Sequence, residues 1–232
     1  GDVWISVAEL DSGRLGRERD AIAALGRVGD QDVRALFGLL ALHRAAGDAR
    51  AEADTLARLA GTTSGGARGA LLASRASALQ AAGEPLETVV TAWREALDAD
   101  PANTPAFMAL ERHHRQSMEW AALASLYRAE GDRLSSSDLP EAAQGAEAAW
   151  WYARAARVQR LQLFDVAAAT EAYQAALAAA PDDTDRRREF EVFCAESEQW
   201  AALASSLEFD VEHAAPAARS FAQYRLARVR EE

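Results

Sequence analysis

Trp120-Ala121-Ala122-Leu123-Ala124-Ser125 returns letter for letter as Trp200-Ala201-Ala202-Leu203-Ala204-Ser205, eighty positions later. The match extends without gaps. Trp93 meets Tyr173, Ala96-Leu97 meets Ala176-Leu177, Pro101 meets Pro181, Thr104 meets Thr184, Leu110 meets Phe190, Glu111 meets Glu191 and Ser117 meets Ser197. Between 68–133 and 148–213, sixteen of 66 pairs are identical, eight of them Ala-Ala pairs that an Ala-rich composition partly supplies. The other eight carry the repeat. A fixed internal period is the mark of stacked supersecondary units, each unable to bury its apolar face alone.

Within each period the residues read as helix. Apolar positions recur at spacings of three and four, and Ala, Leu, Glu and Arg far outnumber β-branched residues. Val3-Trp4-Ile5-Ser6-Val7 alone alternates, and it reads equally as a helical turn. Helices are expected over 32–46 and 49–60 around the Gly47-Asp48 break, with Phe37, Leu40 and Arg44 on one side of the first, and Gly61 to Gly66 is a flexible link. The next pair covers 67–82 and 86–99, with Leu86, Val89, Trp93 and Leu97 on its inner stripe. Thr104-Pro105 opens another helix as cap and first residue, with Phe107, Leu110 and His114 inward, followed by Trp120, Leu123 and Tyr127 on its partner. Asp138 and Glu141 form a capping box before a long helix over 139–161. Further helices fall at 165–179, 185–196 and 199–211, and 217 onward begins another with Phe221, Tyr224 and Leu226.

The Trp93, Ala96-Leu97, Pro101 set and its copy Tyr173, Ala176-Leu177, Pro181 resemble the tetratricopeptide repeat family, in which an aromatic, an Ala-Leu pair and a proline close the second helix of each unit. Phe107 and Leu110 match the large apolar positions of a following first helix, and Trp120 and Tyr127 those of its partner. Glu111 departs from that pattern, standing where a small residue is expected, and the period exceeds two units of about 34 residues. The resemblance implies an all-α, right-handed α-solenoid of antiparallel helical hairpins. Its parts are 1–30 as irregular or capping helices, 31–62 as a hairpin, 66–133 and 138–213 as two long repeats, and 216–232 as the start of a further unit. It also implies that first helices line a concave groove, which would expose Met108, Arg112, Arg115 and Arg188 to a partner.

Charge and composition exclude several functions. A net charge of −11 opposes nucleic acid and anionic membrane surfaces. No apolar run approaches the roughly 20 residues of a membrane span. Lysine is absent, all 25 basic residues being arginine, which removes Schiff-base chemistry and the P-loop lysine. Cys194 is single and reads as a small buried residue. His113 and His114 are adjacent on a helix and point about 100° apart, which disfavours a shared metal ion. No nucleophile with a base and no phosphate-binding glycine loop stands out, so no catalytic residue, cofactor or metal is expected.

Two clusters invite recognition. Arg186-Arg187-Arg188 reads as a solvated face balanced by Asp182, Asp183, Asp185, Glu189 and Glu191, or as a docking point for an acidic partner. Trp150-Trp151-Tyr152 cannot all face inward on one helix; either Trp151 or Trp150 is expected in the core, with the remaining aromatic, Trp150 being the candidate, as an anchor for a partner. The expected function is a non-catalytic protein-interaction scaffold holding a protein or peptide. Two alternatives stay open: a regulatory or substrate-positioning domain of a larger enzyme, and a structural spacer or self-assembling segment. The start at Gly1 and the unfinished helix at Glu232 suggest a segment of a longer protein, the Ala and Arg bias without lysine suggests a bacterial source, and cytoplasmic location is expected unless a targeting segment has been removed.

Overall fold

The computed structural model describes residues 2–13, 17–28, 32–137 and 140–231. Among these the chain is all-α, 82% helical, with no strand. Two compact units divide it, Gly1–His113 and His114–Glu232.

In the first unit the helices are α1 (Asp2–Gly13), α2 (Glu18–Leu25), α3 (Val33–Ala46), α4 (Ala49–Ala60), α5 (Gly65–Ala81) and α6 (Leu86–Ala99). The alternating Val3–Val7 stretch is therefore helical. Consecutive helices pack against one another from α1 to α6. Ala8, Ala21, Ala24, Leu25, Val28, Ala35 and Leu39 form one core, with Ile5, Val7, Ile22 and Leu42 against it. Local chemistry sets the breaks. Gly47 ends α3 in the left-handed region at φ 68°, where a side chain is disfavoured, and Asp48 restarts the chain by accepting from Ala51 N at 3.0 Å. The expected link from Gly61 is shorter than foreseen, because α5 already starts at Gly65.

Helix α7 (Thr104–Gln116) spans the division, and the second unit continues with α8 (Trp120–Ser135), α9 (Glu141–Val158), a π-helical turn (Gln159–Leu163), α10 (Val166–Ala179), α11 (Thr184–Glu196), α12 (Trp200–His213) and α13 (Pro216–Val229). Helix α9 packs on α8 and α10, α10 on α11, α11 on α12, and α12 on α13. The capping box expected from Asp138 lies outside the described residues.

The period of eighty is present in the backbone. Helices α10 and α11 begin and end eighty residues after α6 and α7, and α12 begins eighty after α8. Met118 and Glu198, two residues ahead of each repeated tryptophan, are both left-handed, at φ 55° and 58°. The next residues donate identical bonds, Glu119 N to His114 O and Gln199 N to Cys194 O, each 2.8 Å. A tight turn that keeps a non-glycine residue at positive φ in both copies is set by the packing around it rather than by local preference. Burial also repeats: Leu123 and Leu203 are buried, as are Tyr127 and Leu207, while both tryptophans are half-buried.

Several expected positions differ. Asn103, not Thr104, caps α7, accepting from Ala106 N at 3.0 Å, and Asp183 does the same for α11 with Arg186 N at 2.9 Å. Phe37 is exposed because Leu36, Leu39 and Leu40 carry the buried stripe of α3, about 100° round the helix. Leu86 is exposed at the first position of α6, one turn ahead of the packed Val89, Val90 and Trp93. On α13, Leu226 is buried while Phe221 and Tyr224 are exposed.

Candidate functional site

The second unit carries a cleft of about 310 Å³ lined by Arg115, Trp120, Leu123, Tyr127, Arg154, Arg157, Val158, Leu161 and Gln162. Its centre is Tyr127, buried on α8 by the same three-and-four spacing that buries Leu123. Two guanidiniums converge on its hydroxyl oxygen: Arg115 Nη2 donates at 2.8 Å and Arg154 Nη2 at 2.7 Å. Arg154 lies three and four residues beyond Trp151 and Trp150 on α9, the spacing at which helical side chains meet. Its guanidinium stands 4.3 Å from the Tyr127 ring centre, 4.7 Å from that of Trp150 and 5.1 Å from that of Trp151. The two indoles meet edge to face at 4.5 Å. A planar cation held over three rings is fixed in orientation at little further entropic cost.

The wall beyond Arg154 is set by the π-helical turn. Widening the helix there turns Leu161 and Gln162 into the cleft, and the segment closes with Asp165 N on Gln159 O at 3.0 Å and Phe164 at φ 54°, 81% exposed. Arg157 donates two bonds to Glu189, of 2.7 and 2.6 Å, and Tyr173 Oη gives the same carboxylate a third at 2.9 Å. The Arg157 fork holds the Glu189 carboxyl below its usual range, while burial, helped by Glu189, pushes the Tyr173 phenol up to about 12.

Of the residues singled out in the sequence, Arg115 and Trp150 are brought together here through Tyr127 and Arg154. Trp150 is 47% exposed, Trp151 half-buried and Tyr152 buried, which resolves the aromatic run. Met108 and Arg112 are exposed along α7 in the first unit. Arg188 stands apart on α11, 4.0 Å from Asp185, at the rim of a second cleft of about 470 Å³. Arg154 and Arg157 were not singled out. The signal was in the sequence, since an arginine three or four places after a tryptophan on a helix can cover its ring.

The Arg186-Arg187-Arg188 run is not a uniformly solvated face. Arg187 is buried, with Phe209 under its guanidinium at 3.8 Å, Pro181 O accepting at 2.5 Å and Asp210 at 3.5 Å. Glu191 is buried beside it and accepts from Arg225 at 2.6 Å and Ser206 at 3.4 Å. These groups compensate one another between α11, α12 and α13. Cys194 is buried, and burial pushes its thiol up to about 12.

His113, His114 and Glu119 each bring one ligand atom within 4.8 Å of the others, so side-chain reach offsets the angular separation along the helix. His114 Nδ1 is hydrogen-bonded to Glu119 Oε2 at 2.6 Å. No family model matches the chain, and no curated protein matches it. No helix among the described residues is long and apolar enough to cross a membrane.

Proposed function

We propose that the chain is a non-catalytic interaction module, a right-handed, tetratricopeptide-like array of helical hairpins that holds a protein or peptide partner. The observation that carries this reading is the Arg115-Tyr127-Arg154-Trp150 cluster. Exposed indole and ordered guanidinium are the groups that dominate interface energetics, and an open cleft beside them supplies an apolar wall. Trp150 and Arg115 are the contact residues of the second unit. Arg188 extends the contact surface of the second unit, and Met108 and Arg112 are the corresponding exposed residues of the first. Location in the cytoplasm accords with this role.

Capture on the immobilised chain, followed by binding of the purified captured protein, tests the reading. The doubly substituted Trp150→Ala, Arg154→Ala chain should lose that protein while keeping its circular dichroism. Equal binding by the substituted chain would remove the cleft from the function.

A further inference from the structure

We propose that the exposed face of α13 docks an acidic amphipathic helix of a partner protein. Because α8 runs longer than α12, α13 lies in register with α9 at an offset of seventy-four, which the eighty-residue period hides. At that offset buried Ala148 and Tyr152 meet buried Ala222 and Leu226, exposed Trp150 meets exposed Tyr224, and Arg154 meets Arg228. An aromatic residue with an arginine four places on therefore recurs on the same side of both helices. Ala217 and Phe221 extend the stripe on α13, and Phe221 is 67% exposed. A helix stacked on α13 in the manner of α10 on α9 would not cover it. The α10-facing side of α9 runs through Gly145, whose Cβ position meets Ala179, and through Ala149 and Ala153, which share a core with Ala176. Their counterparts on α13 are Arg219, Gln223 and Ala227, and Phe221 and Tyr224 lie about 100° or more round the helix from the first two.

Charge and geometry set the chemistry of the partner. The chain carries −11, yet 216–230 hold four arginines and no Asp or Glu. Arg225 is engaged by Glu191 and Asp210, and Arg230 by Glu208. Arg228 is exposed and has no carboxylate partner among the described residues, and Leu207, standing where Tyr127 stands for Arg154, offers it no hydroxyl. A partner that brings a carboxylate to Arg228 and apolar side chains to Phe221 and Tyr224 matches the stripe in both respects. Phe221 also edges the cleft of about 470 Å³ with Phe209, Ala218 and Ala222, where one such side chain leaves water. A helix is the form that fits. Because α13 hydrogen-bonds its own backbone, an extended segment laid on it would leave its inward peptide groups unpaired, whereas a helix satisfies its own and packs ridge into groove.

The test is fluorescence anisotropy with a fluorescein-labelled helical peptide of about 20 residues bearing Leu and Glu along one face. Two control peptides carry Gln at every Glu, or the same residues scattered round the helix. The striped Glu peptide should bind the wild-type chain about tenfold more tightly than either, and more weakly as salt is added. Arg228→Gln should erase its advantage over the Gln peptide, and Phe221→Ser should weaken it about tenfold; both positions are exposed, so circular dichroism should not change. Equal affinity for the three peptides, or no binding of the Glu peptide, overturns the proposal without relying on any variant. Unchanged binding by Arg228→Gln also overturns it, and loss with Trp150→Ala instead would put the peptide at the Tyr127 cleft. A mass that rises with concentration and falls back with Phe221→Ser would give the face to a second copy, and retention on phosphatidylserine vesicles lost with the same change would give it to a lipid surface; each overturns the partner helix. None of the α13 residues lines the Tyr127 cleft, so failure here leaves the reading of that cleft standing.

Discussion

Gly131→Ala should destabilise the second unit, although alanine is the better helix former. A Cβ built at Gly131 on α8 meets the Tyr152 ring on α9 at 2.7, 2.8 and 3.0 Å, against the roughly 3.5 to 4.0 Å that carbon atoms prefer. The ring is buried and must retreat by about 0.7 to 1 Å. That movement strains or breaks the bond its hydroxyl donates to Asp132 Oδ1 at 2.7 Å and the 3.3 Å contact with Ser135 Oγ. Losing a bond to a carboxylate costs about 1.5 to 3 kcal/mol, and overpacking about 1 to 3 more. Helix propensity returns about 1 kcal/mol, so a net loss of about 1.5 to 5 kcal/mol is expected. Urea unfolding followed by circular dichroism should show a lower midpoint at unchanged slope. Tyr152→Phe supplies the second arm: it should cost about 1.5 to 3 kcal/mol alone and close to nothing after Gly131→Ala, a coupling of about 1.5 kcal/mol or more. Gly66→Ala is the opposing control, since its Cβ meets only Asp100 Oδ2 at 3.7 Å, and it should be neutral or stabilising. A more stable Gly131→Ala chain, or additive effects with Tyr152→Phe, would refute the close helix approach.

Three further outcomes follow from particular contacts. Gly145→Ala should cost about 1 to 3 kcal/mol in the same assay, because its Cβ would enter the Ala179 carbonyl and backbone cannot swing aside; an unchanged midpoint would contradict the packing of α9 on α10. Glu189 titrates below its usual 4.5 through the Arg157 bonds, so its contribution is complete above that pH and is lost as pH falls through the lowered value. Glu189→Gln should therefore destabilise by about 1 kcal/mol at neutral pH, the pair being partly exposed, and by nothing once the carboxyl is protonated; a difference constant with pH would exclude the linkage. Cys194 should resist a disulfide reagent at pH 8 until urea opens the fold, since burial and a thiol raised to about 12 leave almost no thiolate; rapid native labelling would disprove its burial.

The helices were legible because their limits are written in residues with one physical meaning each. Gly47 stops a helix by entering the left-handed region that other residues disfavour and Pro101 by restricting the residue before it, and the eighty-residue period then fixes where α10 and α11 must fall. Caps slipped by one residue because Asn103 and Thr104 can both serve, and only the bond to Ala106 N decides between them. Arg187 was misplaced for a different reason. Three consecutive arginines point in three directions on a helix, and the one facing inward is accommodated by Phe209 and Asp210, residues over twenty positions away that no local pattern connects to it. The π-helical turn was not legible because Gln159-Arg160-Leu161-Gln162-Leu163 carries no glycine or proline to mark a break.

The cleft arises where the two long repeats differ most. Positions equivalent to Trp150, Trp151, Arg154 and Arg157 are Ala70, Leu71, Ser74 and Ser77 in the earlier copy. There, Ser74 Oγ and Ser77 Oγ donate back to Ala70 O at 3.0 Å and Ala73 O at 3.2 Å, satisfying themselves within their own helix. In the later copy the corresponding side chains are long, cationic or aromatic, and reach outward to Tyr127, Glu189 and one another. Leu207 takes the place of Tyr127 in the last helix pair, and Ala195 that of Arg115, so the converging guanidiniums have no counterpart there. The backbone repeat preserves stacking, whereas these substitutions add cost without improving it: arginine and tryptophan lose more rotamer freedom than serine and alanine, and half-exposed Trp150 buries only part of its apolar area. A repeat serving only to extend the stack has no use for that concentration of indole and guanidinium, and this difference between the copies is what the proposed partner-binding role accounts for.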